Sequence, residues 1–293
     1  GNWSQQAKLN PVSEQRESWF GYSVAISGDI AVVGEPFFDK DNTDLTLQDF
    51  IDAGAISIFE RTGTIWASIG RFTIDIDLVQ SGDWFGSSVA IDGNTIAVGA
   101  LSQARPGQVY ILFKDTDGSW KQQFAQNANT VLEITEQKTL TPNDPDLEDW
   151  FGQSVAIHKN TIVVGSDGSD NPGTGSGSAY VFTRDVNQNW NIQSKLLPDT
   201  PKALANFGIS VAIHNNDIIV GADAADASIA DDNKGAAYVY SRNIAGKWTQ
   251  KIKLTASDGA SDDKFGHSVS IYEPLAVVGA WNKSNTTSVS LET

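Results

Sequence analysis

One seven-residue pattern recurs five times along this chain and constrains its fold more than any other feature. Each copy has a phenylalanine and a glycine, one variable residue, and then a run close to Ser-Val-Ala-Ile. The copies span residues 20–26, 85–91, 151–157, 207–213 and 265–271. They begin 65, 66, 56 and 58 residues apart. A repeat of this length is typical of a chain built from stacked structural units.

Three further segments follow each of the first four copies, and the fifth copy lacks the last of them. A second apolar run ends in glycine, a third run starts after a glycine, and a fourth begins at a tryptophan. All are short, rich in β-branched or aromatic residues, and bounded by Gly, Asn or Asp, which predicts β-strands. The fourth-strand tryptophans are Trp3, Trp66, Trp120, Trp190 and Trp248. We expect four-stranded antiparallel meanders that stack on one another, because one such sheet cannot bury both of its faces alone.

The two ends of the chain predict how the stack is completed. Residues 3–9 look like a fourth strand without partners, and the last repeat has a candidate third strand at 287–292 but no fourth strand. Pairing these two segments would leave no long sheet edge exposed. The sequence therefore predicts an all-β protein, a five-bladed β-propeller of four-stranded blades closed by its N-terminal strand. A single domain over residues 1–293 is expected, with blades at 18–80, 83–140, 149–197, 205–255, and 263–292 plus 2–10.

Composition narrows the class of function. The net charge of −16 and the pI of about 4.4 argue against nucleic acid as a partner, because phosphate binding needs a basic surface. Cysteine is absent, which excludes disulfides and thiolate chemistry. No run approaches the roughly 20 apolar residues of a membrane span, so direct membrane insertion is not expected. Methionine is absent as well, which suggests a chain excised from something longer.

The motifs resemble those of a known family. Phe-Gly-x-Ser-Val-Ala-Ile, followed by Val-Val-Gly-Ala and Gly-Ala-Tyr-Val-Tyr, is similar to the FG-GAP repeat, found in the β-propeller of integrin α subunits and in bacterial exported proteins. The resemblance implies a secreted or cell-surface protein, here expected to be monomeric. Integrin-type repeats hold calcium between their first and second strands. In this chain those connections are turns of three or four residues, too short for six to eight oxygen ligands, so those calcium sites do not carry over.

The long loops carry most of the acidic residues. The connections from strand two to strand three, and from strand four to the next blade, emerge at one end of a propeller, which we call the loop face. They hold 23 of the 36 acidic residues and seven of the 20 basic ones. Asp39, Asp41 and Asp44 are the best metal candidates, with calcium as the expected ion. The segment 258–263 is a second candidate, and solvated acidic loops explain both segments equally well.

Aromatic residues on the loop face are the candidate ligand contacts. Trp19, Trp84 and Trp150 precede three of the Phe-Gly pairs, where they either stack on sugar rings or seal neighbouring blades. Trp281 and the pair Phe37 and Phe38 break the repeat, which favours a binding role. The ligand expected from these residues is a carbohydrate or a protein.

Catalysis has little support in the sequence. No nucleophile elbow or phosphate loop is present, and the repeated serines follow the structural repeat. His267 occupies the variable position of its motif, which suggests a packing or solvated residue. The favoured function is a non-enzymatic adhesion or recognition module of lectin-like type. The alternative is an extracellular, glycan-directed hydrolase, in which two loop carboxyl groups would face each other across a pocket with displaced pKa values.

Overall fold

The computed structural model describes residues 4–12, 17–39, 52–74, 80–102, 106–122, 139–170, 172–225 and 233–283. Every regular element in these residues is a β-strand, and no α-helix occurs among them. The described part of the chain accordingly contains no helix long and apolar enough to cross a bilayer.

The described strands form five antiparallel sheets, which we call blades one to five. Blade one contains β1 (Val24–Ser27), β2 (Ile30–Glu35), β3 (Ala55–Thr62) and β4 (Ile65–Phe72). Blade two contains β5 (Phe85–Asp92), β6 (Thr95–Ala100), β7 (Gln108–Lys114), β8 (Trp120–Gln122) and β9 (Thr139–Leu140). Blade three contains β10 (Ser154–His158), β11 (Thr161–Ser166), β12 (Ser178–Arg184) and β13 (Trp190–Leu196). Blade four contains β14 (Phe207–His214), β15 (Asp217–Ala222), β16 (Ala236–Arg242) and β17 (Trp248–Leu254), and blade five contains β18 (Phe265–Tyr272) and β19 (Leu275–Ala280).

Strands that are neighbours in sequence are neighbours in each sheet, which confirms the predicted meander. Blade two differs slightly, because its fourth position is shared by β8 and β9, which both pair with β7. The predicted third strand of blade five, at 287–292, lies outside the described residues. Five repeated sheets in this order are consistent with a five-bladed β-propeller.

Two-residue turns join the first and second strands, which confirms tight hairpins but makes them shorter than the three or four residues predicted. In blade three, His158 pairs with Thr161, and Lys159 lies between them with a φ of 53°. The equivalent residues Gly28, Gly93 and Asn215 have the same left-handed backbone, with φ between 52° and 57°. This backbone matches the twist of the flanking strands, which is why glycine and asparagine are favoured there. The turns form the end of the blades opposite the loop face, which we call the hairpin face.

At the loop face, residues of the repeated motif form the contact between each blade and the next. In blade three, Ser154 Oγ donates a hydrogen bond of 2.8 Å to the carbonyl of Gly208 in blade four. That same carbonyl lies so close to Gly165 that a Cβ at Gly165 would collide with it. Ser23, Ser88 and Ser210 make the same hydrogen bond to Gly86, Gly152 and Gly266. The glycine and serine of the motif are therefore required by the contact between blades.

Apolar side chains fill the space between successive blades. The motif phenylalanines Phe85, Phe151 and Phe207 have no exposed surface, and each packs edge-on against a tyrosine of its own third strand. Burying a side chain of this size contributes about 1.5–3 kcal/mol. Separate apolar clusters lie between blades one and two, two and three, and three and four. Each of these interfaces is therefore a small core between two neighbouring blades.

The outward faces of the first and last blades carry exposed apolar side chains. Val24 and Ile26 of blade one are 69 % and 64 % exposed, and Leu275 and Val277 of blade five are similarly exposed. No pairing between residues 4–12 and blade five occurs in the described part of the chain. Trp3, the expected anchor of ring closure, lies outside it.

Candidate functional site

The residue before each Phe-Gly pair has a left-handed backbone. Its φ lies between 49° and 55° in Trp19, Trp84, Trp150, Asn206 and Lys264. This conformation is common for glycine and asparagine and is costly for large side chains, of order 1–2 kcal/mol. Because the turn is the same in all five blades, each of these side chains occupies the same place on the rim of the loop face.

An aromatic cluster joins blades one and two on this rim. Phe37 lies 4.6 Å from Trp19 and 5.6 Å from Trp84 between ring centroids, and both contacts are edge-to-face. Tyr22 completes the cluster at 6.0 Å from Trp19. Trp19 is 58 % exposed, whereas Trp84 and Phe37 are partly buried. Three of the six predicted contact residues are therefore brought together, and only part of their surface is available to a ligand.

Phe38 lies against a buried ion pair. Its ring lies 4.4 Å from the guanidinium carbon of Arg71, and Arg71 Nη2 donates to Glu35 Oε2 at 2.9 Å. Ser57 also donates to Glu35, whose side chain is fully buried. These contacts assign Phe38 a packing role. Trp150 is 47 % exposed and makes no contact with another aromatic ring among the described residues.

A second cluster lies between blades four and five. His267 Nδ1 donates to Asp223 Oδ2 at 2.9 Å, and Asn206 Nδ2 donates to the other carboxylate oxygen at 2.9 Å. Trp281 stacks on the His267 ring, with centroids 4.9 Å apart and an interplanar angle of 20°. Trp281 is 69 % exposed, and Asp223 is buried. We call Asn206, Asp223, His267 and Trp281 the His267 cluster. It places an exposed aromatic face on a hydrogen-bonded polar support.

Asp167 occupies in blade three the position that Asp223 has in blade four. It is buried, and its Oδ1 has no hydrogen-bond partner. Burial raises the pKa of Asp167 to about 7, opposed by a hydrogen bond from its own backbone N–H and reinforced by the charge of Asp223. The repeat places Ile209 where blade five has His267, and isoleucine offers no donor.

Of the three predicted metal ligands, the structure describes one. Asp39 accepts a hydrogen bond of 2.9 Å from the backbone N–H of Asp52, whereas Asp41 and Asp44 lie outside the described residues. Burial, followed by the charges of Asp39 and Glu17, raises the pKa of Asp52. No group of three or more His, Asp or Glu side chains in the described ranges has an arrangement that could hold a metal ion.

A lysine occupies the second acidic loop. Lys283 Nζ lies 2.9 Å from Asp263 Oδ2 and 3.3 Å from Asp258 Oδ2, and it donates to the Asp258 carbonyl at 2.7 Å. The ammonium group supplies the positive charge that a metal would supply. The local sequence could not show this, because Lys283 comes from the end of the next hairpin.

Many acidic residues of the loop face are structural. Asp83, Asp149 and Asp263 are buried, and each accepts a hydrogen bond from the backbone N–H three residues earlier, at 2.7–2.9 Å. With Glu35, Asp167 and Asp223, at least six of the predicted surface acids are removed from solvent. The exposed charge on this face is therefore smaller than the sequence count suggests.

Sequence reasoning undervalued His267. The signal lay in the register between blades rather than within one repeat. The contact between neighbouring blades brings Gly266 of blade five against Gly221 of blade four. His267, which follows Gly266, therefore meets Asp223, which lies two positions after Gly221. Applying this offset to all five motifs would have found the pair.

Comparison with known proteins agrees with this architecture. The model of the FG-GAP repeat matches residues 3–59, 79–113, 134–182, 190–240 and 248–290, which together cover most of the chain. A search of curated proteins gave no match. Each matched segment contains the Phe-Gly motif, and three of them begin at a fourth-strand tryptophan. The chain is therefore a member of the FG-GAP repeat family.

Proposed function

We propose that this protein is a non-enzymatic recognition module of a secreted or cell-surface protein, binding a carbohydrate or protein ligand on its loop face. FG-GAP repeats build integrin-like propellers, which are ligand-binding modules of extracellular and surface proteins, and this supports the general class. The His267 cluster supports a saccharide as the ligand of first choice.

The observation that carries the proposal is the stack of Trp281 on His267. A sugar ring has an apolar face of C–H groups and an edge of hydroxyls, so it suits an exposed aromatic ring beside ordered polar groups. Trp281 supplies the aromatic face, and the contact with His267 restrains its orientation. Asp223 in turn holds His267, which reduces the entropy lost on binding.

We further propose that the ring closes between blades five and one. The contact of a serine and a glycine with the glycine carbonyl of the next blade occurs four times. In the described residues, Ser268 and Gly279 of blade five and Gly21 of blade one do not take part in such a contact. Closure would supply them to one another. By the same register, Trp281 would then come beside Tyr22, and the His267 cluster would join the aromatic cluster of blades one and two.

The N-terminal segment supports this closure. Gln6 accepts a hydrogen bond of 3.0 Å from Trp66 Nε1 of blade one. Gln193, in the fourth strand of blade three, accepts the same bond of 2.9 Å from Trp248 of blade four. Gln6 and Gln193 each follow a fourth-strand tryptophan by three residues. The N-terminal segment therefore lies against blade one as the fourth strand of a preceding blade would.

Closure is tested with a matched pair of glycines. Gly221→Ala would drive a Cβ into the Gly266 carbonyl, and we expect it to destabilise the protein by about 1–3 kcal/mol or more. In a closed ring, Gly279→Ala would meet the Gly21 carbonyl and should cost a similar amount in urea unfolding. A tolerated Gly279→Ala beside a damaging Gly221→Ala would contradict closure.

The ligand proposal is tested by glycan-array screening of the protein, with and without calcium. Binding should be lost in Trp281→Ala and retained in Tyr272→Ala, which removes an equally exposed aromatic ring from the hairpin face. Retained binding in Trp281→Ala would move the site elsewhere. If the protein binds no glycan but does bind a protein partner, the ligand is a protein rather than a carbohydrate.

Calcium remains the proposed ion of the loop that begins at Asp39. Binding to the native state alone adds RT ln(1 + [L]/Kd), about 2.7 kcal/mol at a hundredfold excess over Kd. A thermal melt should therefore rise with calcium and not with equal magnesium, and the rise should vanish when Asp39, Asp41 and Asp44 are replaced by asparagine. Equal small effects of both ions would mean that charge screening alone acts there.

A glycan-directed hydrolase is the second candidate, favoured by one observation. Asp167, with its pKa near 7, is electrostatically coupled to Asp223. Glycoside hydrolysis requires two carboxyl groups, one of which has a raised pKa and acts as the acid. Both side chains are buried, so a substrate would have to displace neighbouring loops. Hydrolysis of an array of chromogenic glycosides that is abolished by Asp167→Asn would establish this activity over simple binding.

A further inference from the structure

A cleft on the hairpin face lies between blades two and three. Its volume is about 700 Å³, within the range of small-molecule sites. Three of its ten lining residues are basic and one is acidic, although the whole chain carries a net charge of −16. The residues that line it include Lys114, Lys159, Arg184, Asp92 and Asn187.

Arg184 and its counterpart in blade one, Arg61, have different hydrogen-bond partners. In blade one, Arg61 Nη2 pairs with Asp29 at 2.6 Å, so the two charges cancel. In blade three the residue equivalent to Asp29 is Asn160, and Arg184 donates to its amide oxygen at 2.8 Å and 3.1 Å. No carboxylate pairs with Arg184 in the described residues. Within the described ranges, the positive charge of Arg184 therefore has no acidic counter-ion.

Lys159 adds a second uncompensated cation. Its Nζ donates to Asn215 Oδ1 at 3.1 Å, and among the described residues it pairs with no acid. Lys159 also occupies the left-handed turn position that is glycine in blades one and two. Lys114 is different, because Glu60 neutralises it at 2.6 Å.

One acid lies in the cleft. Asp92 accepts a hydrogen bond from the backbone N–H of Lys159, so that contact holds its carboxylate at the wall between the blades. Against this single negative charge stand Arg184, bonded to Asn160 of blade three, and the ammonium group of Lys159, which is bonded to Asn215 of blade four and adds positive charge from that side. An arginine and a lysine together can bind a tetrahedral oxyanion, because the planar guanidinium donates two parallel hydrogen bonds and the ammonium adds a point charge.

The remaining lining fits the rest of a saccharide. Asn94, Asn187 and Gln188 offer amide donors and acceptors, and Phe113 provides an apolar wall. The volume is much larger than a single anion needs. We propose that this cleft binds the anionic head of a phosphorylated or sulfated saccharide, at a site separate from the loop face.

The inference is tested by isothermal titration calorimetry at low salt with inorganic phosphate, inorganic sulfate, glucose 6-phosphate, N-acetylglucosamine 6-sulfate and free glucose. We expect both saccharide esters to bind at least tenfold more tightly than the free anions, and glucose not to bind. Tighter binding of the free ions than of the esters would overturn the saccharide part of the proposal, and absence of binding by any anion would overturn the site.

Variants separate a built site from general charge. Arg184→Gln and Lys159→Gly should each weaken ester binding at least tenfold, the second with no loss of stability because glycine suits the left-handed turn. Arg242→Gln is the matched control. It removes the equivalent arginine of blade four, which lies against Trp248 and is not part of the cleft lining. An equal loss in Arg242→Gln and Arg184→Gln would overturn the proposal in favour of diffuse attraction.

Discussion

The two ends of the blades are held together by different kinds of contact. At the loop face, backbone meets backbone, because Gly165 touches the Gly208 carbonyl and Ser154 donates to the same oxygen. At the hairpin face, side chains bridge the blades, as where Ser27 Oγ accepts from the Gly93 N–H at 3.1 Å. Backbone contact fixes the spacing of the blades, whereas a side-chain bridge leaves room beside it.

This difference determines where each kind of site can form. The loop face is tightly joined, so its polar groups are buried and its candidate site is a surface formed by Trp281 and His267. The hairpin face is loosely joined, so a cleft whose lining includes three basic residues remains between blades two and three. The acidic loops and the basic cleft thus give opposite faces opposite ligand preferences.

The largest expected difference between the faces concerns ion pairs. Glu35→Gln removes one partner of the buried pair with Arg71 near the loop face, and we expect a loss of about 3–5 kcal/mol. Asp29→Asn breaks the exposed pair with Arg61 on the hairpin face, which should cost about 0–1 kcal/mol because water screens it. Urea unfolding of both variants measures the contrast. Equal losses would show that the loop face is no more tightly built than the hairpin face.

Buried charge should make stability depend on pH at the loop face. The folded pKa of Asp167, about 7, lies above its unfolded value of about 3.9. Its contribution is therefore fully present below pH 4 and is lost as pH rises towards 7, by about 3–4 kcal/mol. In Asp167→Asn this loss should disappear, so the variant should be more stable than the parent at pH 8.

A hairpin-face acid provides the control for that measurement. Hydrogen bonds from backbone N–H groups, first that of Asn189, lower the pKa of Asp185. Its contribution therefore has the opposite sign, being present above the ordinary pKa and lost as pH falls. Urea melts of Asp167→Asn and Asp185→Asn between pH 3 and 8 should change the pH profile in opposite directions. If Asp167→Asn and the parent show the same dependence of stability on pH, the carboxyl group of Asp167 is solvated.

Hydroxyl groups should give a smaller contrast. Ser154→Ala leaves the Gly208 carbonyl between blades without its side-chain donor, at a cost of about 1 kcal/mol. Ser119→Ala removes a hydroxyl that bonds only within an exposed turn, to Asp117, and should be nearly neutral. Thermal unfolding of the two variants at one pH distinguishes them. A neutral Ser154→Ala would mean that glycine contact alone joins the blades.

The smallest effect is expected at the left-handed turn of blade three. Lys159→Gly relieves the backbone cost of a long side chain at φ 53° but adds unfolded-state entropy, for a net gain of about 0.5 kcal/mol. The same substitution at Lys247, on the exposed turn before Trp248, relieves no positive φ and should be neutral or destabilising. A loss of stability in Lys159→Gly would mean that the lysine side chain itself holds the turn.

The sequence was sufficient for the fold because the fold is periodic. Short β-branched runs bounded by glycine and asparagine specify strands locally, and their repetition specifies a stack. The strand order and the tight turns between first and second strands are confirmed, although the turns have two residues rather than the three or four predicted. The grouping of Trp19 and Trp84 on one rim also followed from their common place in the repeat. Closure of the ring stays a prediction, because Trp3 and residues 287–292 lie outside the described part of the chain.

What the sequence determined by itself is therefore everything that depends on neighbours within a repeat: the strands, their turns and the face on which the long loops emerge. What only the tertiary structure decided depends on neighbours in different blades. Asp223 meets His267, Lys283 enters the loop of Asp258, and Lys159 bonds to Asn215 of the next blade. The physical reason is that the charge and burial of a side chain are set by what faces it across a blade interface, and those partners are some 20 to 60 residues away along the chain.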